Sequence, residues 1–296
     1  MDVKLNPAKI ILTLALVWAG IIVLSAAGQV YYWKISPPRE ARFLEQNNFH
    51  AVREQAAAGD VAAAERLAQL QDQRQKIRDP RGVVRLFSVD GEARIPALFQ
   101  TLVLFAIAIT LWVIATHTRR GGDAMAVYWR ILAFGFLFMA IDEACSIHEN
   151  FYFFSGQSET QRQERMGGLF YYSWTLTALI IVAIVGAVFI RFLLRQPRRL
   201  AGLMVLAGFC YVVGAVGLEM AAGKYISSGG VSGLRMSMLQ TIEESLELLG
   251  LLIFLYALLS HAADRAMSLR IRADRTAHHL ATDAATSPLS MSPARS

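Results

Sequence analysis

Six stretches of this chain are each more than 20 residues long and predominantly apolar, and they constrain the fold more than any other feature. They cover residues 10–33, 95–117, 126–148, 170–194, 200–222 and 237–260. A helix of about 20 mostly apolar residues crosses the hydrocarbon core of a bilayer. Since 55% of the 296 residues are hydrophobic and 18% are charged, the charges are left for loops and tails. The sequence therefore predicts an all-α integral membrane protein, a bundle of six transmembrane helices.

The short basic loops predict the orientation of these helices. Residues 118–122 join the second and third stretches, residues 195–199 join the fourth and fifth, and both loops are rich in arginine. Because short basic loops stay in the cytoplasm, both termini are predicted to be cytoplasmic, in the inner membrane of a bacterium. The net charge of +6 then reflects topology and contact with anionic membrane lipids. No nucleic-acid partner is expected.

The chain divides into four predicted parts. Residues 1–33 form a first transmembrane anchor, 34–94 a periplasmic helical cap, 95–262 a five-helix membrane bundle, and 263–296 a basic, largely disordered cytoplasmic tail. Within the cap, Pro37 and Pro38 are expected to end the first membrane helix. Two helices, residues 39–58 and 61–78, then form a hairpin hinged at Gly59 and Asp60. We expect this hairpin to cover the bundle; the alternative is that it docks a membrane-protein partner.

Acidic residues recur near the outer ends of the third, fifth and sixth stretches. With a rise of about 1.5 Å per residue, Asp142 and Glu243 each lie about 9 Å inside the outer end of their helix, and Glu219 is slightly shallower. A charged side chain at the centre of a membrane helix costs about 2.5–3.5 kcal/mol. The acids must therefore share protons, bind cations or face water. The set comprises Asp142, Glu143, Glu149, Glu219, Glu243, Glu244 and Glu247, with His148 beside it.

This set of side chains indicates a cation site. Carboxylates with an imidazole suit Mn, Fe, Zn or Ca, and glutamates from several helices build the di-metal centres of helical bundles. The chain lacks the two Glu-x-x-His pairs of those centres, and zinc sites favour more His or Cys. We predict a divalent or di-metal centre of Fe, Mn or Zn. Its candidate ligands are Glu143, His148, Glu149, Glu219, Glu244 and Glu247, with Asp90 and Glu92 as accessory residues.

The leading interpretation is a metal-binding membrane protein, with enzyme activity on a lipidic or membrane-proximal substrate left open. In an enzyme, Asp142 or Glu243 is the candidate general base toward a metal-bound water. One alternative is an outward-facing site that binds or transports a cation or proton. A path through the membrane is disfavoured because residues 180–189 and 251–259 are almost wholly apolar. The chain could also be a structural or assembly subunit of a membrane complex, or its acids could be protonated carboxyls at a wet cap.

Three short segments carry a resemblance. The pattern LFxxDGExxIP begins at Leu86, DExxxxHE begins at Asp142, and EExxE begins at Glu243. Together they resemble an uncharacterised family of bacterial multi-pass membrane proteins over about residues 85–260. The resemblance groups these residues and implies no reaction. The transmembrane hydrolases that include ceramidases are similar only in their several spans with acidic and histidine ligands, and their His-x-x-x-His pair is absent.

Overall fold

A computed structural model describes residues 6–89, 94–145, 147, 167–172, 174–231 and 233–265. Most of these residues are helical, and none of them lies in a strand. The helices are α1 (Pro7–Val30), α2 (Ser36–Gln46), α3 (Phe49–Ala57), α4 (Val61–Arg78), α5 (Val83–Leu86), α6 (Ile95–Arg120), α7 (Ala126–Cys145), α8 (Trp174–Leu194), α9 (Arg198–Val212), α10 (Glu219–Ser227) and α11 (Leu234–Asp264). Two π-helical segments, Tyr31–Ile35 and Val213–Leu218, join α1 to α2 and α9 to α10.

Five helical runs among the described residues are long and apolar enough to cross a membrane. They are Pro7–Gln46, Ile95–Arg120, Trp174–Leu194, Arg198–Ser227 and Leu234–Asp264. The third predicted span is also a helix, α7, but it carries Arg130, Asp142 and Glu143 within 20 residues and is not one of the five. The coarse prediction of an all-helical, multi-pass membrane protein is therefore confirmed, and the count of six spans is not.

The first membrane helix does not end at the two prolines, contrary to the expectation from sequence. The helical run continues from Pro7 to Gln46. A proline lacks an N–H and fits the first turn of a helix, where that N–H has no partner within the helix. The π-helical segment Tyr31–Ile35 lies immediately before Ser36, so Pro37 and Pro38 occupy the first turn of α2. The wider turn reorients the chain without ending the helix.

The predicted hairpin has three helices instead of two. Residues 39–58 are interrupted at Asn47 and Asn48, and Asn48 takes a left-handed conformation with φ of 49° before α3 begins. Asn tolerates this conformation better than most residues. The predicted second helix matches α4, whose N-terminus is capped by the Asp60 carboxylate accepting from the N–H groups of Ala62 and Ala63. A small core of Phe49, Val52 and Leu70 holds α3 against α4.

An ion-paired carboxylate ties the hairpin together. Glu40 on α2 is 5% exposed and accepts hydrogen bonds from Arg74 and Arg78 of α4, each at 2.6 Å. Arg78 also donates to the Tyr32 hydroxyl at 3.1 Å and lies over its ring. These contacts hold α2 against α4, and they join the hairpin to the π-helical segment that follows α1.

The core of the bundle lies on α6 and α11. Ile107, Leu111 and Ile114 of α6 and Leu248 and Leu258 of α11 are completely buried. They belong to one continuous apolar core that includes residues of α1, α7, α8 and α9. The part of this core that follows the acidic residues along α11 is tightly packed and apolar.

Candidate functional site

Six of the predicted acidic residues lie among the described residues, on three elements of the bundle. Asp142 and Glu143 belong to the last turn of α7, Glu219 opens α10, and the other three are on α11. We call Asp142, Glu143, Glu219, Glu243, Glu244 and Glu247 the acidic cluster. Glu243 is 9% exposed, and the other five are partly buried.

Ring stacking between α7 and α11 places one acid of each helix at a similar level. Phe136 on α7 stacks on Phe254 on α11, with ring centroids 4.9 Å apart. Asp142 follows Phe136 by six residues and Glu247 precedes Phe254 by seven, on helices that run in opposite directions. At 1.5 Å per residue, these two acids lie about 9 and 10.5 Å from the stacked pair, on the same side of it.

Two hydrogen bonds join acids to partners on other helices. The Glu243 side chain is hydrogen-bonded to that of Glu219, which links α11 to α10. A hydrogen bond between two carboxyl groups requires that one of them carry a proton. The Gln100 amide on α6 donates from Nε2 to Oε2 of Glu247 at 3.0 Å. These two hydrogen bonds link α11 to α10 and to α6.

Tyr211 on α9 lies near several members of the cluster. The charges of Glu247, Glu143, Glu244 and Asp142 act on its hydroxyl, so acids from both α7 and α11 are within electrostatic range of it. The π-helical segment Val213–Leu218 follows Tyr211 closely and precedes Glu219. A π-helical turn inserts an extra residue and changes the direction in which the following side chains point. This turn therefore sets how Tyr211 and Glu219 both face α11.

Two glycines allow α9 and its π-helical extension to approach α11 closely. A Cβ on Gly250 would lie 2.7 Å from the Ala207 carbonyl oxygen and 2.9 Å from the Tyr211 nitrogen. A Cβ on Gly214 would lie 2.9 Å from Cγ of Glu247. Contacts this short do not occur between such atoms, so only glycine permits the backbones to meet here. The packing that positions Glu247 depends on these two residues.

Two buried oxygens at the cluster have no hydrogen-bond partner among the described residues. They are Oε1 of Gln100, a residue 1% exposed, and Oε2 of Glu243. Leaving a buried acceptor unsatisfied costs about 1–3 kcal/mol. Both side chains use their other polar atom to bind a member of the acidic cluster. The unsatisfied oxygens therefore belong to the cluster itself, and either a proton or a bound cation would satisfy them.

The metal ligands predicted from sequence are brought together only in part. Within the described stretches of the chain, no three His, Cys, Asp or Glu side chains are placed so that they could hold a metal ion. His148, Glu149, Asp90 and Glu92 lie outside the described residues. The predicted metal centre thus stays a prediction, and the structure describes six of its acids on α7, α10 and α11.

A pocket lies near the cluster, beside the π-helical segment that contains Trp33. It measures about 300 Å³. Its walls include Trp33, Tyr172, Ile226, Met236, Ser237 and Gln240. Gln240 lies three and four residues before Glu243 and Glu244 on α11, so the pocket ends about one helical turn from the acids.

Sequence reasoning missed Gln100 and Tyr211. Gln100 is a single amide in the apolar helix α6, and such a residue in a membrane span usually finds a polar partner on a neighbouring helix. That signal was present in the sequence, but the identity of the partner was not. Tyr211 resembled the other aromatic residues of the spans, and only the packing of α9 against α11 distinguishes it.

The fold and its acidic cluster define an all-helical, multi-pass membrane protein with a polar site at one level of the bundle. The chain belongs to the family described as Domain of unknown function (DUF8692), which matches residues 56–262. That match begins in the hairpin, before α4, and extends nearly to the end of α11, so it includes both part of the cap and the cluster. No curated protein and no solved structure matches the chain.

Proposed function

We propose that this protein binds a metal ion at the acidic cluster, near the outer leaflet of a bacterial inner membrane. The observation that carries the proposal is the pair of buried, unsatisfied oxygens on Gln100 and Glu243. A divalent cation bound beside either oxygen would satisfy it and would offset the mutual repulsion of the carboxylates. Oxygen donors of this kind suit Mn²⁺, Fe²⁺ or Ca²⁺, and His148 would extend the choice to Zn²⁺.

The proposed ligands are Glu143, Glu219, Glu244 and Glu247 from the described helices, with His148 and Glu149 at the end of the third span. The carboxylates of the four glutamates are partly buried, and they would have to turn inward to meet one ion. Asp90 and Glu92 would serve as accessory ligands from the cap side. If the protein is an enzyme, Asp142 or Glu243 would take the proton from a metal-bound water, with a lipid or membrane-proximal molecule as substrate.

The topology that accompanies this proposal has six transmembrane spans and both termini in the cytoplasm. The sixth span is α7 and the residues that follow it, through 148. Its charged end is then at the level of the cluster, where partners from α9 and α11 reduce the cost of placing acids in the membrane. Membrane lipids would surround the bundle, and the hairpin would lie outside, where it could also dock a protein partner.

A second candidate function is the binding of protons or monovalent cations from the outside. The hydrogen bond between Glu219 and Glu243 favours it, because that bond already requires a shared proton. The apolar core below the cluster disfavours passage to the other side, since Leu251, Leu255 and Leu258 are buried there. This function would therefore be a site that opens outward only.

Stabilisation by added metal tests the proposal. The protein is stripped with a chelator in detergent, and thermal unfolding is followed while Mn²⁺, Fe²⁺, Zn²⁺ or Ca²⁺ is added. A ligand at 100 times its Kd stabilises the folded state by about 2.7 kcal/mol, so one of these ions should raise the Tm of the wild type clearly. The double variant Glu244→Gln, Glu247→Gln should lose this shift, whereas Glu54→Gln, Glu65→Gln in the hairpin should keep it. No shift with any ion, or an equal shift in both variants, rejects the metal site and favours the proton site.

A further inference from the structure

The pocket beside the acidic cluster has aromatic walls that contacts within the protein hold in place. Trp33 donates from Nε1 to the Ser237 hydroxyl at 3.1 Å, and Tyr32 packs edge-on against its ring at 5.1 Å. Tyr32 is in turn held under the Arg78 guanidinium. Trp33 is therefore fixed at the junction of α1, the hairpin and α11 before any ligand binds.

The second aromatic wall is held by a glycine. Tyr172 lies against the backbone of α10, where a Cβ on Gly223 would be 3.2 Å from its Cδ2 atom. Tyr171 packs edge-on against Tyr172 with ring centroids 5.1 Å apart. Walls that need no rearrangement lose little entropy on binding, which favours recognition of a small ligand.

The chemistry of the walls selects a cation. The lining residues in the described part of the chain are aromatic, apolar or neutral polar, and none of them is basic. The faces of tryptophan and tyrosine rings attract positive charge, and aromatic sites of this kind recognise alkylated ammonium groups. One helical turn away are Glu243 and Glu244, whose carboxyl groups favour the same sign of charge. Ser237 and Gln240 provide neutral oxygens.

The size and position of the pocket limit the ligand further. A volume of about 300 Å³ is at the lower end for small-molecule sites, so it holds a headgroup or a small amine and not a whole lipid. The pocket lies next to Trp33, in the π-helical segment that follows α1, where lipid headgroups would be within reach of a membrane-spanning helix.

We propose that this pocket binds an alkylammonium group, supplied either by a lipid headgroup or by a small soluble amine. The site is distinct from the metal ligands, and it functions without a metal ion. A negative result for the alkylammonium pocket can thus be told apart from a negative result for the metal site. Choline binding is measured on protein without metal, and metal binding is measured without choline.

Choline is the probe, measured by calorimetry on chelator-treated protein in phosphatidylglycerol nanodiscs. We expect saturable binding in the millimolar range. The uncharged analogue dimethylbutanol, in which carbon replaces the nitrogen, should bind about tenfold more weakly. Trp33→Leu and Tyr172→Leu should each weaken choline binding by about tenfold, and Tyr172→Phe, which keeps the ring, should not.

The matched control is Trp112→Leu, which removes a half-exposed tryptophan of α6 that packs against Phe134. Should Trp33→Leu fail to fold, Trp33→Phe should retain part of the affinity and still reject the neutral analogue. Absence of choline binding to the wild type, equal affinity for the analogue, or affinity unchanged by both pocket variants would each overturn the proposal.

The source of the ammonium group is decided by a second set of nanodiscs. Replacing half of the phosphatidylglycerol by phosphatidylcholine should weaken binding of free choline if the lipid headgroup enters the pocket. Unchanged binding assigns the pocket to a soluble amine instead. Both outcomes support an ammonium site and differ only in where its ligand originates.

Discussion

Single polar residues inside this protein are held by partners far away in the sequence. Glu40 binds Arg74 and Arg78, and Gln100 binds Glu247, 147 residues later. The sequence predicted which acids lie at a similar depth, because depth follows from helical rise. It could not show that Gln100 and Tyr211 join them, because that depends on which faces of α6 and α9 meet α11.

Removal of the Glu40 charge tests the contact that closes the hairpin. Glu40→Gln keeps the shape of the side chain but leaves two guanidinium groups without their counter-charge. Because Arg74 and Arg78 are 40% and 30% exposed, water compensates part of the loss, and we expect the hairpin to be destabilised by about 1–2 kcal/mol. Amide hydrogen exchange in α2 and α4 should then accelerate by about tenfold. Glu45→Gln, an exposed residue on the same helix, should leave exchange unchanged, and equal effects would contradict this role of Glu40.

At the scale of elements, the positions of the membrane helices followed from the sequence and their irregularities did not. The start of α6 at Ile95 and the end of α8 at Leu194 coincide with the predicted limits. Apolar runs mark such limits because the bilayer selects them. The π-helical segments that begin at Tyr31 and Val213 have no comparable pattern in the sequence. They decide how Trp33 and Glu219 are aimed, so the sequence could not provide the geometry of the site.

The close approach of α9 and α11 predicts a strong effect of one methyl group. In Gly250→Ala the new Cβ would overlap the Ala207 carbonyl and the Tyr211 nitrogen, both backbone atoms that cannot rotate away. We expect a loss of about 1–3 kcal/mol, measured by thermal unfolding in detergent. Gly208→Ala, on α9 with no atom within 4 Å of the added Cβ, is the matched control. A Tm for Gly250→Ala no lower than that of the control would show that these helices can separate at little cost.

At the scale of the whole molecule, the arrangement requires the hairpin and the acidic cluster to face the same side of the membrane. Single cysteines at Gly59 in the hairpin and at Gly121 in the loop after α6, in a background with Cys145→Ser and Cys210→Ser, should report opposite sides. An impermeant maleimide added to intact cells should label the first and not the second, in accordance with the basic loops. Labelling of Gly121→Cys without labelling of Gly59→Cys would show that the topology is inverted and that the cluster lies on the cytoplasmic side.

The central claim is that the acidic cluster holds a metal ion, and the metal content of gently purified protein tests it most directly. Mass spectrometry should find one or two equivalents of one metal in the wild type and in the hairpin control Glu54→Gln, Glu65→Gln. The double variant Glu244→Gln, Glu247→Gln should retain its helical content and lose the metal. If the wild type contains none after growth in metal-supplemented medium and is correctly folded, the claim is contradicted, and the cluster is a network of proton-sharing carboxyl groups.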